Sequence, residues 1–199
     1  MEHSHPKTLL IACGALADET LAVIDEKKWR HLEITCLPAK LHNSPTLIPD
    51  AMRQKIRDNK ADFDQILALY GDCGTGGLLD NVLREEGVER IPGAHCYEFF
   101  AGADVFKHYA DAEPGTFYLT DYLARHFDRL IIKDLGIERH PELLPMYFGN
   151  YKKVLFLSQT KNAELQAKAK AAAERLSLEY EYRFTGLTGL ENFLNKKVG

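Results

Sequence analysis

Apolar runs of strand length alternate with amphipathic stretches of helix length along the chain. Residues 8–13 (TLLIAC) form a short apolar run that stops at Gly14, the pattern of a buried strand. Over 17–28, Leu21, Val23 and Ile24 fall among charged residues and predict a helix. A second strand is predicted at 32–37 (LEITCL), and Pro38, Asn43 and Pro45 separate it from a helix over 48–60. A third strand over 65–70 (QILALY) is broken by Gly71, Gly74, Gly76 and Gly77. A helix over 78–86 then stops at Gly87, and 88–91 predicts a short fourth strand.

The second half repeats the alternation. One helix is predicted over 97–110 in spite of Gly102, and Pro114-Gly115 marks a turn before a strand at 116–120 (TFYLT). Helices follow at 121–135 and 141–150, joined through Gly136 and His140-Pro141. A strand at 153–157 (KVLFL), an Ala/Lys/Glu-rich helix at 162–176, a strand at 178–184 and a helix at 187–195 complete the pattern. Strands alternating with helices indicate the α/β class: a Rossmann-like, largely parallel sheet flanked by helices. One sheet suffices, so 1–199 reads as a single domain. The alternative is two lobes with a boundary near 111–116. The strand order is not set by the pattern.

Composition narrows the partners. The chain of 199 residues is 45% hydrophobic and 27% charged, which argues for a globular domain and against disorder. At this length roughly 70% of the unfolded surface is buried on folding, so no disulfide or metal is needed merely to fold. A net charge of −4 gives no broad attraction to nucleic acid or an anionic membrane. No apolar run approaches the ~18 residues of a membrane helix. Residues 1–6 (MEHSHP) lack the basic and apolar regions of a signal peptide, and His3 and His5 read as a solvated tail. The chain therefore reads as cytoplasmic, where cysteines serve as metal ligands, reactive thiols or packing residues rather than disulfides.

Three of the four cysteines fall at predicted strand ends. Cys13 ends the first strand, Cys73 lies three residues past the third in Gly71-Asp72-Cys73-Gly74, and Cys96 follows the fourth in Ala94-His95-Cys96. In a parallel sheet these carboxyl ends share the edge where open α/β proteins bind ligands. Three thiolates there would bind zinc with a fourth position open, or hold an iron–sulfur cluster with one open iron. A histidine ligand is available in His95 or His42, and His95 is the candidate placed with Cys13, Cys73 and Cys96 in the expected metal set. Gly14 and Gly74 would let backbone approach a bound group, and loop N–H donors would lower thiol pKa values. The bland alternative is that each thiol packs as a small buried hydrophobe. Cys36 lies within the second strand and reads as packing.

Other polar residues surround these thiols. His42, beyond the second strand, reads as ligand, general acid–base or orienting donor, or as a loop residue capping the next helix. Asp72 is a candidate for proton transfer and Glu98 for a supporting role; the alternative for each is a helix-end or solvated carboxylate. Tyr118, Thr120, Asp121 and Tyr122 form a polar-aromatic run that lines a pocket or packs. The glycine-rich GDCGTGG matches neither the Walker phosphate loop nor the dinucleotide fingerprint. No Ser-His-Asp order and no His-Glu-x-x-His is present.

The blocks Ala12-Cys13-Gly14-Ala15-Leu16, Leu41-His42-Asn43-Ser44-Pro45, Tyr70-Gly71-Asp72-Cys73-Gly74, His95-Cys96 and the run 114–120 (PGTFYLT) resemble the signatures of the domain of unknown function 1638 family. The resemblance spans about residues 8 to 190. It implies a setting among corrinoid-dependent methyl-transfer systems of one-carbon metabolism. The chain lacks the Asp-x-His-x-x-Gly motif of corrinoid-binding partners, so a corrinoid or methyltransferase protein is expected as partner and not as part of this chain. The leading expectation is a metal-binding protein acting on a small-molecule substrate, with zinc first and an iron–sulfur cluster second. A non-catalytic accessory or metal-delivery protein and a metal-free thiol-redox enzyme are the alternatives.

Overall fold

The computed structural model describes residues 5–199, and His3 lies outside them. Two compact units are present: residues up to Phe99 together with Leu187–Gly199, and Phe100–Gly186. Each has its own parallel sheet, in place of the single sheet that the strand–helix alternation allows. Among the described residues no helix is long and apolar enough to cross a membrane.

The first unit holds β1 (Thr8–Cys13), β2 (Leu32–Leu37), β3 (Gln65–Leu69) and β4 (Glu89–Arg90) in the order β2-β1-β3-β4. All pairings are parallel: Leu10 stands opposite Ile34 on one side and Leu67 on the other. β1 is buried along its whole length, which is why it reads as an uninterrupted apolar run. Helices α1 (Ala17–Lys27), α2 (Ile48–Asn59) and α3 (Leu78–Glu86) follow the first three strands. They bury Val23 and Ile24, Met52 and Ile56, and Leu79, Val82 and Leu83. Lys28 and Gly87, both left-handed, end α1 and α3.

Helix α4 (Cys96–Ala101) and helix α5 (Ala103–Ala112) replace the single helix predicted over 97–110. The break falls at Gly102, whose φ of +82° no helix accommodates. The second unit carries β5 (Thr116–Leu119), β6 (Lys153–Ser158) and β7 (Glu179–Phe184) in that order, all parallel. Between β5 and β6 run α6 (Asp121–Phe127), a π-helical turn (Asp128–Lys133) and α7 (Leu143–Phe148). The long helix predicted at 121–135 is interrupted at His126, whose backbone is non-helical. Helix α8 (Ala163–Leu176) joins β6 to β7 and buries Leu165, Ala169, Ala172, Ala173 and Leu176 in the core with Val154 and Phe156. Helix α9 (Thr188–Val198) returns to the first unit and buries Leu190, Leu194 and Val198.

Candidate thiol–imidazole centre

The strand order places the site. In a sheet ordered β2-β1-β3-β4 the crossovers leave β1 toward β2 and then pass to the other side for β3. The crevice outside the carboxyl ends of β1 and β3 is therefore the topological switch point, where such sheets take ligands. Cys13 is the last residue of β1, and Cys73 follows β3 after Tyr70, Gly71 and Asp72.

Four segments meet at this edge. A 3-10 turn (Ala39–Asn43) after β2 carries His42. Its Nδ1 stands 3.1 Å from the Ala39 carbonyl and 3.7 Å from the Cys13 sulfur. A carbonyl only accepts, so Nδ1 holds the proton and Nε2 is left with the lone pair. Burial opposes protonation of this imidazole, but the neighbouring Cys73 side chain, with the Ala39 bond, outweighs it and raises its pKa. The Tyr70 ring lies parallel to the imidazole, centroids 6.0 Å apart.

Cys73 holds a φ of 50°, a left-handed conformation uncommon outside glycine. The Cys73 N–H donates to the Ala94 carbonyl at 2.8 Å, and the Asp72 N–H to Gly93 at 3.3 Å, tying this loop to the segment that carries Cys96. Gly71 permits the approach: a β-carbon there would lie 3.0 Å from the Ala94 oxygen and from the His95 backbone. Backbone on two sides has little room to give. We therefore expect Gly71→Ala to destabilise the protein by about 1–3 kcal/mol, as other overpacked sites do. A urea midpoint unchanged from wild type would show that the two loops are not held together there. Gly14 plays the same part on the other side, its virtual β-carbon 3.2 Å from the Leu37 carbonyl and 3.3 Å from the Ala39 nitrogen. Gly74, with a φ of +82°, faces Pro45 of the His42 segment. These glycines draw the four segments together.

Asp72 and Glu98 hold the loops. Asp72 accepts from the Thr75 hydroxyl at 2.7 Å and from the N–H groups of Gly76 and Gly77 at 3.1 and 2.8 Å. Burial opposes its ionisation, but these bonds and the Arg90 charge win and lower its pKa. Such a carboxylate is a loop cap and a poor base near neutral pH. Glu98 accepts from the Ala94 N–H at 2.9 Å. Arg90 grips Asp80 through two nitrogens and donates to the Ile91 and Gly93 carbonyls, each at 2.9 Å, fixing the start of the Cys96 segment. His95 is exposed at the rim. Partial desolvation lowers its pKa, Asp72 opposes, and His42 lowers it again.

The thiols feel one another. Cys96, which begins α4, has its pKa pushed well up by burial and then by the Cys73 and Cys13 charges. Cys13 accepts from the Ala15 N–H at 3.3 Å, yet burial dominates and raises its pKa to about 11. The expectation that loop N–H donors lower the thiol pKa values therefore fails at Cys13: the donor is present, and desolvation is larger. Cys36 stands within β2 opposite Ala12, half-buried, with its pKa raised by burial and then by the Cys13 charge.

Cys13, His42, Cys73 and Cys96 thus form the centre, with His95 at its rim and Asp72 beneath its loop. Pattern reading assigned no role to Tyr70, which it treated as the end of the third strand. The signal was an amphipathic ring placed last in an otherwise apolar run, directly before the glycine loop.

Among solved structures, the chain is similar to the catalytic subunit of an aspartate transcarbamoylase from M. jannaschii, with 12% identity and a TM-score of 0.31, over 89% of this chain and 56% of that one. It is also similar to an ornithine carbamoyltransferase from Pyrococcus furiosus, with 12% identity and a TM-score of 0.25, over 90% of this chain and 55% of that one. The chain spans about half the length of these proteins. No curated protein matches it by sequence. The model of one family, described as protein of unknown function DUF1638, matches residues 36–194, and the chain belongs to that family.

Proposed function

We propose that the crevice at the β1/β3 switch point is a metal-binding centre, with Cys13, Cys73 and Cys96 as its sulfur ligands and His42 as the assisting imidazole. The observation that carries this reading is the gathering of these four side chains, from four separate segments, into one desolvated edge. Burial raises the pKa of Cys13 and of Cys96, so these thiols are poor thiolates by themselves, and a cation reverses that balance. The His42 Nδ1–H bond to a backbone carbonyl is also the support that metal-bound imidazoles use.

The donor chemistry suits a soft metal. The arrangement does not suit a single ion as it stands: among the described residues, no three or more His, Cys, Asp and Glu side chains are placed to hold one. Zinc draws its ligands to about 2.0–2.3 Å, so it would require the thiols to turn inward. An iron–sulfur cluster spreads its thiolates over several irons. A place in one-carbon metabolism, with a small-molecule substrate and a corrinoid or methyltransferase protein as partner, is the further part of this proposal and rests on the resemblance alone, since the matched family model is described only as one of unknown function.

Elemental analysis and an optical spectrum of anaerobically purified protein test this reading. About one centre per chain is expected, since among the described residues only one such group of thiols is present to supply three or four ligands. Iron with sulfide and visible charge-transfer absorption supports the cluster; colourless protein with zinc supports the single ion. Metal-free protein with all of its thiols freely titratable sinks both readings and favours thiol-redox chemistry.

A further inference from the structure

β7 is an edge of the second sheet: β6 pairs with it on one side, and among the described residues no strand pairs on the other. Proteins commonly blunt such an edge with a proline, a bulge or a very short strand. β7 has none of these and keeps continuous register with β6 from Glu179 to Phe184. The N–H groups of Glu179 and Thr185 donate to the Lys152 and Ser158 carbonyls at 3.0 and 2.8 Å, so the odd-numbered residues turn their backbone groups toward β6. Alternation along the strand then turns the N–H and C=O of Tyr180, Tyr182 and Phe184 outward. The rings of these three share one face of the sheet, and Glu179, Glu181 and Arg183 share the other. Tyr182 is 37% and Phe184 42% exposed.

We propose that β7 is the contact strand of a two-fold dimer, pairing antiparallel with β7 of a second copy about an axis at Tyr182. In that register Tyr182 stands opposite itself, Tyr180 opposite Phe184, and Glu181 opposite Arg183. The outward backbone groups of Tyr180, Tyr182 and Phe184 are then all paired. The strand is self-complementary in charge. Glu181 is bonded to Lys153 at 2.6 Å on the β6 side, and its other side meets Arg183 of the second copy. Arg183 is exposed and forms no ion pair among the described residues. An axis at Tyr180, Glu181 or Arg183 would instead set like charges directly opposite, which destabilises a pair. A two-fold contact of this kind uses both free β7 edges and closes at the dimer.

Sedimentation equilibrium of the full chain tests this, with wild type expected to be a concentration-dependent dimer. Arg183→Glu and Glu181→Arg are each expected to raise the dimer Kd about ten- to a hundred-fold, because both cross-strand charge pairs become like-charged. An equimolar mixture of the two variants is expected to pair again, since the mixed dimer sets opposite charges face to face. Glu181→Arg also loses the bond to Lys153, so far-UV spectra and urea midpoints establish that each variant is folded. A third variant, Tyr182→Cys, depends on no charge. Residues opposite each other in this way have Cα atoms about 5.5 Å apart, within disulfide reach, so mild oxidation is expected to bridge position 182 to itself, as peptide mapping would show. Wild-type protein that stays monomeric up to millimolar concentration would overturn the inference. So would a dimer whose Kd ignores Arg183→Glu, a failure of Tyr182→Cys to bridge, or growth past the dimer into open-ended assemblies.

Discussion

Cys73→Ser is expected to fold with a wild-type far-UV spectrum and to lose most of its metal. Serine keeps the size of cysteine, but its hydroxyl rarely ionises near neutral pH, and the ionised form is the one that binds. The fold should survive because a chain of this length buries enough core without the metal. Cys73→Gly sharpens the test. At a φ of 50° a side chain costs roughly 1–2 kcal/mol, which glycine avoids. Glycine loses more backbone entropy on folding, by roughly 0.5–1 kcal/mol, so the net effect is a small gain in stability. A variant that is at least as stable as wild type and empty of metal would mark Cys73 as held in strain for its chemistry. Cys36→Ala serves as the control, since Cys36 stands within β2 and not at a loop. Metal at wild-type occupancy in Cys73→Ser, or its loss in Cys36→Ala, would remove Cys73 or restore Cys36 as a ligand. Global unfolding of both Cys73 variants would make the centre structural.

The alternation of strand and helix was legible because the central strands β1 and β6 are buried and most of the helices have one apolar face. The run at 8–13 reads as apolar throughout since β1 is covered on both faces and paired on both sides. The meeting of Cys13 and Cys73 followed from a rule of parallel sheets: loops after the strands share one edge. The order of the strands did not follow, because no residue in a short buried strand encodes its neighbour. That order is what makes the β1/β3 edge a switch point. Gly102 was read as tolerable within a helix and the helix over 121–135 as continuous, yet Gly102 and His126 are breaks, because positive φ and a non-helical backbone are tertiary outcomes that local propensity does not set. Asp72 and Glu98 looked like chemistry beside the thiols. Their carboxylates instead accept backbone N–H groups four or five residues away, after Asp72 and before Glu98, a use visible only once the loops close. The thiol pKa values were the least legible, since desolvation depends on packing from four segments at once.

Asp121→Ala is expected to cost about 3–5 kcal/mol, more than any other substitution considered. Asp121 opens α6 directly after β5 and is 1% exposed. Its carboxylate accepts from the Gln159 N–H at 3.1 Å and the Thr160 N–H at 2.9 Å, and takes a short bond from the Thr160 hydroxyl. In return the Asp121 N–H donates to the Gln159 side chain at 2.8 Å, and that amide donates to Leu157 at 2.6 Å. The carboxyl ends of β5 and β6 are thus locked by reciprocal bonds. Alanine would leave buried donors without an acceptor, each costing about 1–3 kcal/mol. It would also remove a negative charge from a helix N-terminus, a further few tenths of a kcal/mol. Asp121→Asn keeps one acceptor oxygen but turns an amide donor toward an N–H or hydroxyl, so a smaller loss is expected. Hydrogen exchange at β5 and β6 amides, with urea unfolding, reads the effect. A loss below about 1 kcal/mol in Asp121→Ala, or equal losses in the two variants, would show that water or a repacked hydroxyl replaces the carboxylate. The run 116–122, polar and aromatic in sequence, is on this account the clasp of the second sheet, and its Thr120 hydroxyl caps α6 by accepting from the Leu123 N–H at 3.3 Å.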